Sequence, residues 1–456
     1  MKSQNKEEIK GKKVLILGLA RTGVAAARLC HSLGAKVLVS DIKSEEELKE
    51  YTGMLEGVDV EFFLGSHPES LLEAVDIIVV SPGIQGSIPV LVKARSLGIE
   101  IISEIELAYN FLKSPVIAIT GTNGKTTTTK LIQEILTAGG YKTASAGNIG
   151  NPLSGLALDS FLYDYLVVEV SSFQLEEIIK FKPFISLILN VTPDHLDRYR
   201  NIGEYAKAKF RIFENQGEGD FLILNHDDPM LRELPTQKGI SFLYFSTKDA
   251  VVNGSYMEGD QIISRFGSKA KTVCPLSEVK LEGLHNLENV LAAITVCSIC
   301  EVTPDKIREA LKKFRPPHHR MEFVRELNGV RFVDDSKGTN VGAVIKSLMS
   351  YSSPVILIAG GRDKNGDFSS LRDLVKSKVK SLVLIGEAGE KIRKSLGDIT
   401  LTIDASSMED AVRKSYAAAS EGDVVLLSPG CASFDMFNSY EERGQVFKKA
   451  VKDLNN

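Results

Sequence analysis

A glycine-rich turn between an apolar run and an amphipathic helical pattern constrains this chain more than any other feature. Residues 116–119 are typical of a buried strand, and the turn that follows, residues 121–126, has the sequence G-T-N-G-K-T. Glycines let backbone N–H groups approach phosphates, Lys125 offers a point charge, and the Thr126 hydroxyl can hold Mg²⁺. Ile119 stands where the general pattern has a glycine, so an ordinary strand-to-helix connection remains an alternative. The coincidence of strand, turn, Lys-Thr pair and helix favours a nucleotide site.

Length and charge limit the classes of protein to consider. The chain has 456 residues, and at about 150 residues per domain this predicts about three domains. A net charge of −4 leaves no basic surface for nucleic acid, so no such partner is expected. No stretch reaches the roughly 20 apolar residues that cross a bilayer, and the first residues lack the apolar core of a signal peptide. We therefore expect a cytoplasmic enzyme without a membrane anchor.

The first third of the chain alternates strand and helix patterns. The predicted strands are residues 14–17, 36–40, 60–64, 76–80 and 99–102. Such alternation is typical of a parallel, doubly wound sheet, whose ligands lie at the carboxyl ends of the strands. The loop of residues 18–23 resembles a dinucleotide fingerprint in which Ala20 replaces the middle glycine, with Asp41 after the next strand. We expect this loop, Ser81 and Gly83 on one rim, although tight turns alone would also explain the glycines.

One carboxylate interrupts an apolar strand pattern in the middle third. Glu169 lies in the predicted strand of residues 165–170. A buried carboxylate is costly unless it is paired or bound to a metal. Because a phosphate loop in the same domain requires a hard cation, we favour a Mg²⁺ ligand over a structural ion pair.

The next strand pattern, residues 185–190, is followed by Asp194, His195 and Asp197. A lone histidine in such a place is more often structural than functional. A helical pattern downstream carries three basic residues, Lys207, Lys209 and Arg211. Basic residues on a helix usually form a solvated face, so composition alone does not single one out.

Further strand patterns with little helix between them predict a small β-rich annex. They cover residues 221–225, 240–245 and 251–266, with turns expected at residues 253–254 and 258–260. The loop of residues 146–152 is rich in turn residues and is not expected to form regular structure.

The last third alternates strands and helices again. The predicted strands are residues 330–333, 355–359, 382–385 and 424–427. Three of them are followed by polar loops, at residues 334–340, 360–364 and 428–433. Three such loops on one sheet rim predict a second wall of a site. The run R-P-P-H-H-R at residues 315–320 cannot continue a helix and is the predicted linker.

These patterns predict an α/β protein of three domains. Residues 1–112 form a Rossmann-like domain with a parallel sheet. Residues 113–317 form a central P-loop nucleotide-binding domain that carries the β-rich annex. Residues 318–456 form a second Rossmann-like domain whose loops line one rim of its sheet.

In combination, the motifs closely resemble those of the Mur ligases of bacterial cell-wall synthesis. The phosphate loop appears as G-T-N-G-K-T-T, and the metal-site motifs appear as V-E-V-S-S-F-Q-L, N-V-T-P-D-H-L-D-R-Y and A-K-F-R-I-F-E-N. The nucleotide clamp appears as L-H-N-L-E-N, H-H-R and D-D-S-K-G-T-N. The motifs S-P-G-I-Q-G-S-I-P and S-P-G-C-A-S-F-D-M-F resemble the member that adds D-glutamate. The D-N-P-R motif of the diaminopimelate- or lysine-adding member is absent.

The resemblance implies an ATP-dependent ligase that adds D-glutamate to UDP-N-acetylmuramoyl-L-alanine in peptidoglycan precursor synthesis. The substrate carboxylate attacks the γ-phosphorus to give an acyl phosphate, and the amino-acid nitrogen then displaces phosphate. The implied cofactors are ATP, Mg²⁺ at two sites and a carbamylated Lys209. The expected partners are the small-molecule substrates, and we expect a monomer because the sequence shows no exposed apolar stripe.

The family's functional residues carry over by motif onto this sequence. The catalytic set is Lys125, Glu169, His195, Lys209 and Lys337. The metal ligands are Thr126, Glu169, His195 and Lys209. ATP is assigned to Gly121, Thr122, Asn123, Gly124, Lys125, Thr126, Thr127, Asn286, Asn289, Arg320 and Asp335. The UDP substrate is assigned to Gly18, Ala20, Arg21, Thr22, Gly23, Asp41, Lys43, Ser81, Gly83 and Asn148. D-glutamate is assigned to His195, Thr339, Lys364, Ser433, Phe434 and Tyr440.

Two departures and several rival functions qualify this assignment. Ala20 stands where the family loop often has glycine, and Lys43 where arginine would bind bidentately, which affects the uridine contacts. A sister Mur ligase or a folylpolyglutamate-synthase-like ligase would share the central loop, but the full first domain with its Ser81 loop argues against the latter. A nicotinamide-dependent oxidoreductase leaves the Lys125 loop unexplained. A regulatory nucleotide-binding module without chemistry would give Glu169, His195 and Lys209 no joint purpose.

The substrates are expected to come from different domains, so domain motion is expected. ATP, the acyl group and D-glutamate would each be held by a separate domain. We expect the last domain to swing closed about Pro316 and Pro317, which would exclude water from the acyl phosphate.

Overall fold

The computed structural model describes residues 8–196, 198–281, 283–315 and 318–455. These residues form three β-sheets with their helices. We call each sheet with its helices the N-terminal, middle and C-terminal unit. Asp197 and the predicted hinge residues Pro316 and Pro317 lie outside the described residues. Across the part of the chain that is described, no helix is both long and apolar enough to cross a membrane. Short 3₁₀ helices cover Glu69–Ala74, Leu153–Leu156, Ser160–Leu162, Arg211–Phe213, Leu276–Glu278 and Phe368–Leu371.

The N-terminal unit has five parallel strands in the order β3-β2-β1-β4-β5. The strands are β1 (Lys13–Leu17), β2 (Lys36–Asp41), β3 (Val60–Leu64), β4 (Ile77–Val80) and β5 (Glu100–Ser103). The helices are α1 (Arg21–Ser32), α2 (Lys49–Gly53), α3 (Pro89–Ser96) and α4 (Glu104–Tyr109). The predicted parallel sheet is confirmed. The strand order reverses between β1 and β4, so the loops after these two strands meet at one crevice.

The middle unit has nine strands in the order β14-β13-β12-β11-β10-β9-β6-β8-β7. The strands are β6 (Val116–Thr120), β7 (Thr143–Gly147), β8 (Tyr165–Glu169), β9 (Ile185–Ile188), β10 (Phe221–Asn225), β11 (Ser241–Ser246), β12 (Asn253–Glu258), β13 (Gln261–Phe266) and β14 (Lys269–Pro275). The helices are α5 (Lys125–Ala138), α6 (Ser172–Leu175), α7 (Ile202–Phe210), α8 (Pro229–Arg232), α9 (Leu284–Ile299) and α10 (Pro304–Lys313). Helices α5 and α9 pack together through apolar side chains such as Leu131, Ile135, Val290 and Ile294, so the phosphate loop stands on a rigid support.

Two of the strands predicted for the annex, β10 and β11, belong to the parallel part of the middle sheet. The antiparallel strands β12, β13 and β14 extend that sheet from β11, which pairs in parallel with β12. The turn expected at residues 253–254 is wrong, because these residues begin β12, whereas the turn at residues 258–260 is confirmed between β12 and β13. Gly254 has φ 131°, and a Cβ there would lie 1.7 Å from the Tyr244 carbonyl oxygen. Here the glycine permits close strand pairing instead of a turn. The prediction that residues 146–152 form no regular structure is partly wrong, because the first two of these residues end β7.

The C-terminal unit has six strands in the order β15-β16-β20-β17-β18-β19, with only β15 antiparallel to its neighbour. The strands are β15 (Glu322–Leu327), β16 (Val330–Asp334), β17 (Val355–Gly360), β18 (Val379–Ile385), β19 (Leu401–Asp404) and β20 (Val424–Leu427). The helices are α11 (Val341–Met349), α12 (Arg372–Lys378), α13 (Gly389–Leu396), α14 (Met408–Ala418) and α15 (Tyr440–Lys452). The loops after β16, β17 and β20 lie together because these strands are neighbours, as expected for one rim.

Candidate active site

Asn190, which lies just after β9, holds the phosphate loop in place. Gly124 precedes α5 in a left-handed conformation, with φ 88°. Asn190 receives a hydrogen bond from the Asn123 backbone N–H (2.9 Å) and donates one to the Asn123 carbonyl (3.1 Å). A Cβ on Gly124 would lie 2.3 Å from Asn289 Oδ1. The loop is therefore held in place directly before α5, whose first turn contains Thr126 and Thr127. The N-terminus of a helix favours anions.

Two lysines converge on one carbonyl of this loop. Lys125 Nζ donates to the carbonyls of Gly121 (2.8 Å) and Thr122 (3.0 Å), and Lys209 Nζ donates to that of Gly121 (3.0 Å). Lys209 is buried and lies 4.3 Å from the centre of the Tyr205 ring. Burial, followed by the nearby Lys125 charge, holds the pKa of Lys209 well below its ordinary value. Burial lowers the pKa of Lys125 as well, so both amines lose a proton more readily than a free lysine does.

Glu169 ends β8 beside the phosphate loop with one carboxylate oxygen unsatisfied. Its side chain is buried, and its Oε1 accepts a hydrogen bond from Asn148 Nδ2 at 3.0 Å. Its Oε2 is buried and has no hydrogen-bond partner among the described residues. An unpaired buried oxygen is costly. The structure thus places the predicted metal ligand and the predicted substrate residue Asn148 side by side.

His195 follows β9 in a left-handed conformation, with φ 56°. Its ring packs edge to face on Phe173 at 4.8 Å, and its Nε2 lies 3.8 Å from Asp194 Oδ2. Among the described His, Cys, Asp and Glu residues, no group of three gathers around Glu169 and His195. An ion there would need other ligands as well, such as the Thr126 hydroxyl or a modified Lys209.

Asp194 joins the middle unit to the C-terminal unit. Its carboxylate accepts hydrogen bonds from Lys364 Nζ (2.8 Å) and Asn340 Nδ2 (2.9 Å). Asn340 also donates to Asn123 Oδ1 in the phosphate loop (3.2 Å). Burial alone would raise the pKa of Asp194, but the Lys364 charge and the hydrogen bonds to Lys364 and Asn340 hold it below its ordinary value. Lys364, in the loop predicted to bind the amino acid, is therefore linked to the phosphate loop through Asp194 and Asn340.

A cleft lies between the phosphate loop, α9 and the C-terminal unit. It brings together seven predicted ATP residues, Asn123, Gly124, Thr127, Asn286, Asn289, Arg320 and Asp335. Predicted catalytic Lys337 also lines it. The remaining ATP residues lie in the phosphate loop and the first turn of α5.

Lys337 lies over the Tyr440 ring, with Nζ 3.6 Å from the ring centre. Burial, together with the Arg320 charge, lowers the pKa of Lys337 to about 7. Burial raises the pKa of Asp335 to about 6, although two serine hydroxyls donate to its carboxylate. Both groups are close to changing charge at neutral pH, which is common at catalytic sites.

The predicted D-glutamate residues do not all meet. Thr339 and Lys364 line a second cavity beside α11. Ser433 is buried, whereas Phe434 is 64% exposed. The face of the Tyr440 ring is covered by the Lys337 ammonium group. Two of the six predicted D-glutamate residues, Thr339 and Lys364, therefore line this cavity.

The predicted UDP-substrate residues shape their own rim. The Ser81 hydroxyl donates to the Gly18 carbonyl at 2.9 Å. The Asp41 carboxylate accepts hydrogen bonds from the backbone N–H groups of Leu19 (2.7 Å) and Lys43 (3.0 Å). Asp41 therefore fixes the loop after β1 through backbone contacts.

The loop after β1 also depends on close backbone approach. A Cβ on Gly23 would lie 2.1 Å from the Gly18 carbonyl oxygen. Ala20 immediately precedes α1, Thr22 lies in its first turn, and the Arg21 and Lys43 side chains are exposed. These two cations are available at the rim.

Sequence reasoning missed three residues that the structure places at the site. Asn190 holds the phosphate loop, as described above. His285 lines the nucleotide cleft, where burial and then the charges of Lys346 and Arg320 lower its pKa to about 4. Arg443 is fully buried behind the rim of the C-terminal unit. Asn190 and His285 had a signal, because both lie in motifs that resemble the family, N-V-T-P-D-H-L-D-R-Y and L-H-N-L-E-N, whereas Arg443 had none.

Comparison with known proteins supports one family. Three family models match in order: a MurD-like N-terminal domain of Mur ligases at residues 12–103, the Mur ligase middle domain at 119–297, and the Mur ligase glutamate ligase domain at 319–431. The UDP-N-acetylmuramoylalanine–D-glutamate ligase of Geotalea daltonii is 47% identical over 448 residues, 98% of each chain. The enzyme of that name from Thermoanaerobacter pseudethanolicus is 44% identical over 451 residues, 98% of this chain and 99% of that one.

A solved structure shows the same fold at lower identity. The pseudomurein peptide ligase type C from Methanothermus fervidus is 21% identical, with a TM-score of 0.62 over 96% of this chain and 100% of that chain. The similarity therefore covers all three units and their order. Since the three domain models and the full-length relatives agree, this chain belongs to the Mur ligase family.

Proposed function

We propose that this chain is the ATP-dependent ligase that joins D-glutamate to UDP-N-acetylmuramoyl-L-alanine in peptidoglycan precursor synthesis. The observation that carries the proposal is its identity of 44–47% with relatives of that name along 98% of its length. The site supports an ATP-dependent ligation, because the phosphate loop and a cationic wall line one cleft. The buried carboxylate of Glu169 lies next to the strand that leads into this loop.

The reaction must bring two anions together, the substrate carboxylate and ATP. The carboxylate oxygen bonds to the γ-phosphorus as ADP leaves, which gives an acyl phosphate. The D-glutamate nitrogen then bonds to the acyl carbon, loses a proton, and phosphate leaves. Lys125 and Lys337 approach from the middle and C-terminal units, so we assign them to the charge that develops on the phosphate oxygens.

Mg²⁺ fits the donor atoms beside the phosphate loop. Glu169 Oε2 is a buried carboxylate oxygen without a hydrogen-bond partner among the described residues, and oxygen is the ligand that hard cations take. We assign Thr126 and Glu169 to one ion, and His195 with Lys209 to a second. Bound Mg²⁺ supplies positive charge to the phosphate oxygens.

Lys209 is suited to becoming a carbamate. Its amine is buried with a strongly lowered pKa, so the neutral form that reacts with carbon dioxide is accessible. The nitrogen bonds to the carbon of CO₂ and a proton leaves, which turns a cation into an anionic oxygen ligand. The modification would also remove the cation that now lies beside Lys125 at the Gly121 carbonyl.

The remaining substrates are assigned to the other two units. Lys364 and Thr339 would bind a carboxylate of D-glutamate, with Ser433, Phe434, Tyr440 and His195 around it. The UDP-linked substrate would lie on the rim of the N-terminal sheet, where Arg21 and Lys43 are exposed. We keep domain boundaries near residues 112 and 317 as proposals, together with a monomeric state and a cytoplasmic location.

A substrate panel tests the activity. Phosphate release is measured with ATP, Mg²⁺, UDP-N-acetylmuramoyl-L-alanine and separate amino acids, among them D-glutamate, L-glutamate, L-lysine and diaminopimelate. We expect turnover with D-glutamate only. Turnover with another amino acid would move the chain to a sister ligase, and the absence of turnover with all of them would overturn the proposal.

Domain closure gives a second expected result. The C-terminal unit contacts the middle unit through Lys346 Nζ and Glu288 Oε2 at 2.6 Å. Small-angle scattering should show compaction when an ATP analogue and the UDP substrate are added. Without ligands, Lys346→Glu should increase the radius of gyration because two like charges then face each other, and adding Glu288→Lys should restore it.

The control for closure is Lys376→Glu, which makes the same charge change on the exposed surface of α12. It should leave the scattering profile unchanged. Identical wild-type profiles with and without ligands would count against closure, as would an equal expansion in both glutamate variants.

A further inference from the structure

Arg443 in α15 is the largest fully buried side chain among the described residues, at 1% exposure. Its guanidinium donates to Ser336 through Nε (hydroxyl, 2.9 Å) and Nη2 (carbonyl, 2.7 Å). Its Nη1 donates to the carbonyls of Cys431 (3.1 Å) and Ala432 (3.2 Å). It forms no ion pair within the described part of the chain, and burial lowers its pKa to about 10. The carboxylates of Asp435, Asp334 and Asp335 partly offset the burial but make no direct ion pair with it, so the charge is held mainly by the loops it joins.

The two segments that Arg443 joins belong to different halves of the proposed site. Ser336 lies between Asp335 and Lys337, on the nucleotide side. Cys431 and Ala432 immediately precede Ser433, on the amino-acid side. One guanidinium therefore sets the distance between the phosphate-facing lysine and the loop assigned to D-glutamate.

The loop after β17 is tied to the same point. Arg362 and Ala432 exchange two backbone hydrogen bonds of 2.9 Å each, ahead of Lys364. A Cβ on Gly361 would lie 3.2 Å from Nη1 of Arg443 and 2.3 Å from the Ala432 carbonyl oxygen. All three polar loops of the rim thus meet around Arg443.

The same face of α15 makes two further contacts with the nucleotide side. Tyr440, one turn before Arg443, places its ring under Lys337, and its carbonyl accepts a hydrogen bond from the Ser336 hydroxyl at 2.9 Å. A Cβ on Gly444 would lie 2.1 Å from His319 Nδ1. The first turn of α15 is therefore packed against the segment that carries Lys337.

We propose that Arg443 is a positioning residue that couples the two half-reactions by holding the Lys337 loop and the Ser433 loop in register. Because its side chain is buried, it would act through these loops and not on a substrate directly, and the inference rests on the proposed ligase function. When the register is lost, the acyl phosphate still forms on the ATP side, but the D-glutamate nitrogen is misaligned with it. Water then attacks the acyl phosphate instead, which returns the carboxylate and releases phosphate without product.

The test measures phosphate and amide product in the same reaction of the full chain. Wild type should release one phosphate per product. In Arg443→Met, kcat should fall ~10²-fold, the KM for the UDP substrate should stay unchanged, and phosphate should exceed product about two-fold or more. Arg443→Lys, which keeps one donor group, should show a smaller excess.

Arg325→Met is the matched control. Arg325 Nη1 also donates to backbone carbonyls of the α15 region, those of Val451, Lys452 and Leu454, at the far end of the helix. This variant should keep one phosphate per product even if its unfolding temperature falls. An excess of phosphate equal to that of Arg443→Met would overturn the proposal, because loosening α15 at either end would then suffice.

A milder variant covers the case in which Arg443→Met does not fold. Ser336→Ala removes the hydroxyl that accepts from Arg443 and donates to Tyr440. It should also raise the ratio of phosphate to product. A ratio unchanged from wild type in Ser336→Ala or in a folded Arg443→Met would overturn the coupling role. Failure of the wild type itself to turn over would instead reject the ligase function.

Discussion

Lys209→Ala is expected to lower turnover by about 10³-fold or more, equivalent to about 4 kcal/mol. The substitution removes the only described side chain that would supply carbamate oxygens beside the phosphate loop, where Lys209 Nζ lies 3.0 Å from the Gly121 carbonyl. Acetate or formate should restore part of the activity, because a short carboxylate fits the space left by the side chain and supplies the missing anionic oxygens. The measurement is phosphate release at increasing acetate concentration.

The control for this variant lies on the same helix. Lys207 is exposed on α7, two residues before Lys209, so Lys207→Ala should retain wild-type activity and should not respond to acetate. Sodium chloride at the same ionic strength separates rescue by a carboxylate from an effect of salt. Full activity in Lys209→Ala, or equal rescue by chloride, would contradict the carbamate.

The fold was largely predictable because its central strands are continuous apolar runs. All five strands of the N-terminal sheet agree with the sequence patterns to within one residue at each end. The strands β15 and β19 were not predicted, because they lie at sheet edges and carry charged or polar residues, as in E-F-V-R-E-L. Strand β7, with the sequence T-A-S-A-G, was missed because small residues give no strand pattern.

The candidate site was predictable where its chemistry is local in sequence. The phosphate loop needs only neighbouring residues, so Lys125 and Thr126 were found from the motif itself. Arg443 could not be found in this way, because its partner Ser336 is 107 residues away and an arginine in an amphipathic helix is usually solvent-exposed. Tyr440 was assigned only through the family resemblance, and its contact with Lys337 was not predicted because it depends on how β16 and α15 pack.

Glu169→Gln is expected to lower turnover by about 10²–10³-fold. Glutamine keeps an oxygen that can accept from Asn148 Nδ2, now at 3.0 Å from Oε1, but it loses the negative charge assigned to Mg²⁺. The apparent affinity for Mg²⁺ should fall, and MgATP should raise the unfolding temperature of the variant less than that of wild type. Without metal, the stability of the variant should change little, because the unsatisfied carboxylate oxygen is removed together with the negative charge that attracts Lys125 and Lys209.

Glu104→Gln is the matched control, because Glu104, like Glu169, is buried with one partnered and one unpartnered carboxylate oxygen among the described residues. Its Oε1 accepts a hydrogen bond from the Ser154 backbone N–H at 2.6 Å. Burial raises the pKa of Glu104 to about 7, so glutamine resembles a protonation state that it already adopts. This variant should keep wild-type turnover and Mg²⁺ dependence. If Glu169→Gln retained both as well, an unsatisfied carboxylate oxygen would be a poor guide to metal binding in this protein, and Glu169 would instead be a structural acid that orients Asn148.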